Sequence, residues 1–120
     1  MRYICLVHFD PSLLDAMPAA ERKIFDRRSA GYDKELEAKG HYVIAEAIEG
    51  GESAVLVRVR DGQVATTDGP YIETKEQMAG FILIEARDMN EALRLAAGIP
   101  LAELGTIEVR PVYRIPDPGA

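Results

Sequence analysis

Polar residues are few along residues 2–9, where strand alternation puts Tyr3, Cys5, Val7 and Phe9 on one side and Arg2, Ile4, Leu6 and His8 on the other. Both sides are mostly apolar, which predicts a strand buried on two faces. Asp10-Pro11-Ser12 ends it and predicts a short helical turn, with Asp10 as N-cap and Pro11 at the first helical position. Over residues 18–39 the period becomes helical. Ile24, Phe25, Tyr32 and Leu36 form the apolar stripe, charged residues fill most of the remainder, and Gly40 supplies the stop. Strands are predicted at 41–48 and 53–60, and Asp61-Gly62 between alternating segments predicts a hairpin returning over 63–66. In that hairpin Val55, Val57 and Val59 share the face expected to join the core, while Leu56, Arg58 and Arg60 take the wetter one.

Residues 67–80 break the alternation and concentrate polar chemistry. Asp68-Gly69-Pro70 reads as a turn, and Thr74-Lys75-Glu76-Gln77 matches a capping box, which predicts one helical turn. Gly80 then releases the chain into a near-continuous apolar strand over 81–86, expected to be central. Asp88 to Glu91 is a second capping box opening a helix that ends near Gly98. The last strand is predicted over 106–114, where Pro111 implies an edge position or a bulge.

Two strand–helix–strand halves separated by an inserted hairpin describe an α+β fold: a ferredoxin-like sandwich with helices on one face of an antiparallel sheet. Several strands are apolar on both sides. The face without helices is therefore expected to meet the sheet of a second copy, giving a homodimer. One domain over residues 1–115 and a flexible tail over 116–120 complete the expected organisation.

Composition narrows the function classes. Fourteen Lys and Arg against twenty Asp and Glu give a formal net charge of −6, and no basic block interrupts the chain, so nucleic acid is not an expected partner. The apolar run near Met1 is too short for a signal peptide, so none is expected, no apolar run reaches membrane length, and the single cysteine, Cys5, reads as a small buried hydrophobe. A soluble cytoplasmic protein is expected, with no membrane contact.

At Asp68-Gly69-Pro70-Tyr71 the chain resembles the DGPF branch of the YCII-related family, whose signature is that tetrapeptide with an aromatic in fourth place. The likeness continues through Arg58-Val59-Arg60-Asp61-Gly62, the residues from Thr67 to Gln77, Gly80-Phe81, Ile84 to Asp88, Ala92-Leu93, Ile99-Pro100 and Gly105 to Val112. It implies a dimeric α+β barrel and a bacterial cytoplasmic protein, often encoded beside extracytoplasmic-function sigma factors. For the wider family it also implies an enzymatic role resting on a His–Asp pair, with the His on the first long helix. Residues 18–39 contain no histidine, so that pair does not carry over.

The candidate ligand pocket is Asp68, Glu73, Lys75 and Glu76 from the signature stretch, facing Glu46 and Arg110 from two strands. Mixed charges in a cleft tune proton affinities for acid–base work. Glu46 stands out as a carboxylate in an apolar strand, needing a cation or water, and Arg110 is its expected partner. The ordinary alternative is structural: Asp68 organises the turn, Thr74 caps, and Lys75 and Glu76 face solvent. His8 and His41 lack a ligand-type partner at i+2 or i+4, so no metal is expected, and no nucleotide fingerprint calls for a cofactor. Two functions follow. One is a small-molecule enzyme using acid–base chemistry beside the Asp68-Gly69-Pro70 loop. The other is a non-catalytic dimeric ligand-binding or regulatory module tied to a sigma factor.

Overall fold

The computed structural model describes residues 1–119; position 120, the end of the expected tail, lies outside the described residues. The chain runs β1 (Arg2–Phe9), α1 (Pro11–Asp15), α2 (Ala19–Ala38), β2 (Tyr42–Ala47), β3 (Val55–Arg60), β4 (Gln63–Asp68), β5 (Gln77–Glu85), α3 (Met89–Ala97) and β6 (Thr106–Pro111), with single 3₁₀ turns at Gly51–Ser53 and Pro100–Glu103. An antiparallel sheet in the order β2-β5-β1-β6 forms the body, and β3 and β4 make a separate two-stranded ribbon. The protein is thus α+β and ferredoxin-like, with the hairpin inserted between β2 and β5.

Local signals explain most boundaries. Asp10 accepts the Ser12 backbone N–H at 3.0 Å and so caps α1. Asp88 accepts that of Glu91 at 2.9 Å, while the Glu91 carboxylate takes the N–H of Arg87 at 2.8 Å, closing the first turn of α3 from both sides. Pro111 lies on an edge strand. Its neighbour Val112 donates to Arg2 at 2.9 Å, so in a pleated strand the Pro111 nitrogen points away from the sheet and no ladder bond is lost.

The core lies under one face only. Tyr3, Cys5, Ile82 and Ile84 point from β1 and β5 toward Leu36 of α2 and Ala92 and Ala96 of α3. Leu36, Ile84 and Cys5 are essentially inaccessible, and burying each large aliphatic side chain stabilises by about 1.5–3 kcal/mol. Ile24, expected in the α2 stripe, instead faces solvent. Burial pushes the Cys5 thiol up to about 11, so little thiolate exists near neutrality. The native protein should resist a thiol-specific disulfide reagent at pH 8 and react stoichiometrically once unfolded in guanidinium. Fast labelling of the native chain would contradict the burial described.

Two further expectations fail. Thr74 opens no helix: residues after Gly69 run as bends into β5, and the Thr74 hydroxyl donates to the Glu76 carbonyl. The strand wins because Gln77 and Met78 pair with Phe9 and His8, and ladder bonds outweigh a capping preference worth about 1 kcal/mol. Gly80 accordingly sits inside β5, not before it. The hairpin's valine face also joins no core: Val55, Val57, Val59 and Val64 are all exposed. Its turn is as expected, with φ of 52° at Asp61 and 74° at Gly62, the twist that suits a two-residue hairpin. A turn fixes the pairing of two strands but cannot supply a surface for them to lie on.

Candidate functional site

Registers in the sheet decide which side chains meet on its helix-free face. Successive cross-strand rows there are Arg2 with Glu85, then Ile44, Leu83, Ile4 and Arg110, then Glu46, Phe81, Leu6 and Glu108, and finally Met78, His8 and Thr106. The last row is the end at which β1 stops and β5 and β6 begin. The signature loop arrives at the same end. It is tethered by Thr106, whose hydroxyl donates to Glu76 at 3.0 Å, and by Lys75, whose ammonium lies 3.9 Å from the Asp10 carboxylate. The Gly51 N–H donates to the Gln77 side chain at 3.1 Å and so fixes the segment after β2 against the start of β5.

Between this segment, the loop and the end of the sheet lies a cavity of about 960 Å³. Its walls are chiefly apolar, from Ile48, Pro70, Tyr71, Ile72 and Met78, with His8 and Glu76 among the few titratable groups. His8 is the best-organised of them. Its Nε2 is 3.1 Å from one oxygen of Glu108, and the other oxygen of Glu108 is 3.5 Å from Nε of Arg110. A carboxylate only accepts, so Nε2 donates to it, and in the neutral ring Nδ1 then holds the lone pair. The arrangement is a ring held by a carboxylate that in turn lies beside a guanidinium. Such a ring takes up a proton from a bound molecule and is stabilised by its carboxylate when it does so. Asp10, at the edge of the site, is held below the usual carboxylate range by the Ser12 hydroxyl and backbone N–H, and to a lesser degree by Lys75.

The six residues expected to line one pocket are distributed differently. Lys75 and Glu76 do reach the end of the sheet. Glu73 faces the other side of the loop, toward a smaller hollow of about 480 Å³ that it shares with Glu52 and Lys75. Asp68 closes β4 opposite Val55, at the root of the hairpin. Glu46 and Arg110 do not pair. They lie on β2 and β6, the two outer strands, three strand spacings or about 14 Å apart; Glu46 is exposed and Arg110 turns to Glu108. Residue-by-residue reading missed His8, Glu108, Thr106 and Asp10, because their proximity depends on the pairing of β1 with β6. The available signal was parity: His8 falls on the same side of its strand as Ile4 and Leu6, and Glu108 shares its side with Arg110.

A third hollow, of about 170 Å³, lies on the helix side, between Ser29, Tyr32 and Asp33 of α2 and the edge formed by Ala45 and Gly80. Desolvation raises the Asp33 carboxyl above its ordinary range. A raised carboxyl costs nothing where it is protonated in both folded and unfolded chains, and destabilises the fold as pH rises through its unfolded and then its folded value. Asp33→Asn should therefore raise the melting temperature at pH 7 and have little effect at pH 3. An equal shift at both pH values would show that ionisation is not the cause. Tyr32 donates its hydroxyl to the Leu95 carbonyl and so ties α2 to α3. Among the described residues no three His, Cys, Asp or Glu side chains converge as a metal ion would require, and no helix is long and apolar enough to cross a membrane.

Comparison with known proteins agrees with this architecture. The profile of the YCII-related domain matches residues 1–116. An uncharacterized protein of Rhizobium meliloti (strain 1021) is 34% identical over 115 residues, covering 93% of this chain and 92% of that protein. Among solved structures, the chain resembles 5-chloro-2-hydroxyhydroquinone dehydrochlorinase (TftG) from Burkholderia phenoliruptrix AC1100 in complex with 2,5-dihydroxybenzoquinone. The TM-score is 0.55 over 94% of each chain. At 15% identity that likeness speaks for the fold alone.

Proposed function

Because the chain belongs to the YCII-related domain family, we propose that it is a small-molecule enzyme of the DGPF branch, working by acid–base chemistry in the cavity beside Asp68-Gly69-Pro70. The observation that carries this reading is the His8–Glu108–Arg110 array, whose His8 lines a largely apolar cavity. His8 accepts a proton at Nδ1, Glu108 holds the ring and stabilises the imidazolium, and Arg110 steadies the Glu108 carboxylate from its other oxygen. Tyr71, Ile72 and Met78 favour a compact apolar ligand, and Thr74, Glu76 and Gln77 offer hydrogen bonds to one polar group on it.

The same reading has the protein act as a pair of copies. Ile4, Leu6, Phe81 and Leu83 form an apolar stripe on the sheet face that no helix covers. A second copy seated on that stripe leaves the His8 row at the rim, where ligand can enter.

The test is a thermal-shift screen of the protein against small hydroxylated and carbonyl compounds, followed by mass spectrometry of every stabilising mixture. Conversion of a stabilising compound by the wild type, and its loss in His8→Asn, supports the proposal. Compounds that bind equally to both proteins and are never converted would count against it and favour a binding module, the reading that the histidine-free α2 helix supports.

A further inference from the structure

The hairpin of β3 and β4 is the least accounted-for part of the molecule. Its strands pair only with each other, and its root is held where Gly69 donates to Ala54 at 2.8 Å. Six residues per strand give it a reach of about 20 Å. The radius of gyration is 16.9 Å, whereas a compact chain of this length has one of about 13.6 Å. The hairpin is specified strongly, by a turn with two positive φ angles and by alternation that places every valine on one side. Val59 lies opposite Val64, and Val55 and Val57 extend the same face toward the root. These four are 55–69% exposed. The other face carries Arg58 and Arg60, which meet water, and Leu56, which is half-buried near the root. A lone two-stranded ribbon is at best marginally stable in water, so one apolar face implies a surface that receives it.

We infer that this hairpin is an arm whose valine face packs against a second copy of the same chain, each copy embracing the other across a two-fold axis. The inference rests on the paired assembly proposed above. The chain itself offers the receiving chemistry, since Ile44 and Val112 on the helix-free sheet face are apolar and exposed, and neither lines the cavity that His8 faces. The area also suits a symmetric pair. The exposed parts of the four valines amount to roughly 370 Å² per arm, and two arms each covering an equal area bury about 1,500 Å² in all, within the range of a specific stable interface. A second copy meets both needs at once, because an isologous contact supplies arm and receiving surface twice over.

Sedimentation velocity from 0.5 to 50 µM tests this, with far-UV circular dichroism as the folding control. The wild type should sediment as a dimer. Val57→Lys with Val64→Lys should raise the dimer dissociation constant at least tenfold, and the gentler Val57→Ala with Val64→Ala should raise it less with the fold intact. Ala65→Lys, on the arginine face, should leave it unchanged. A wild-type monomer overturns both the arm and the pairing. A dimer as tight in both valine variants as in the wild type overturns the arm alone, and so does equal weakening by Ala65→Lys.

Discussion

Alanine at position 105 should destabilise the protein by about 3 kcal/mol, near the upper end of what one inserted carbon costs in a packed site. A Cβ there would lie 2.1 Å from the His8 carbonyl oxygen, 2.7 Å from Cβ of Phe9 and 3.0 Å from its Cα. None of these atoms is the free end of a side chain. The His8 carbonyl belongs to the strand that pairs with β5 on one side and β6 on the other, so moving it breaks ladder bonds and shifts the His8 ring. Urea unfolding should report a lower midpoint with an unchanged slope. Gly31→Ala is the control with opposite sign. That position lies inside α2 with nothing within 4 Å of the new carbon, and exchanging glycine for alanine in a helix stabilises by roughly 0.5–1 kcal/mol. Equal midpoints for Gly105→Ala and wild type would mean that β6 does not enter the sheet against His8 as described.

His8→Asn should lower turnover of the converted compound by about 10²–10⁴-fold, the usual contribution of a positioned general base, with KM nearly unchanged because the cavity walls remain. Glu108→Gln should give a smaller loss, since the ring stays in place while its imidazolium loses an ionised partner. Glu46→Gln should change neither constant. The comparison separates two arrangements of the same residue types. If Glu46 rather than His8 governs turnover, the chemistry lies on the β2 edge and the His8–Glu108–Arg110 array is only a surface ion network, worth little to stability at such exposure.

What could be read along the chain was whatever depends on neighbours in sequence. The caps at Asp10 and Asp88, the stop after α2 and the hairpin turn at Asp61-Gly62 are each fixed within a few residues, and they are found as expected. The Thr74 capping box shows the limit of such signals. It competes with two strand pairs formed by Gln77 and Met78 with residues nearly seventy positions earlier, and the distant partners prevail.

Of the residues expected to form one pocket, the structure brings only Glu76 to the cavity beside His8. Glu76 is held there by the Thr106 hydroxyl, whereas Lys75 lies beside Asp10 and borders the neighbouring hollow. Glu46 drew attention because a carboxylate in an apolar strand needs a partner, yet β2 is an edge strand and water supplies one. His8 was passed over because its partners are sought at i+2 or i+4, where a sheet does not put them.

The sequence alone determined the kind, order and inward face of nearly every element, since hydrophobic period, caps and turns act over a few residues. Tertiary structure decided the strand order, and with it everything that depends on contact across strands. The order β2-β5-β1-β6 sets Glu46 and Arg110 at opposite edges and brings His8, Thr106 and Glu108 to one end of the sheet. It also leaves the valines of β3 and β4 outside the core. Side chains one strand apart in space are a hundred residues apart in the chain, and no local pattern records that distance.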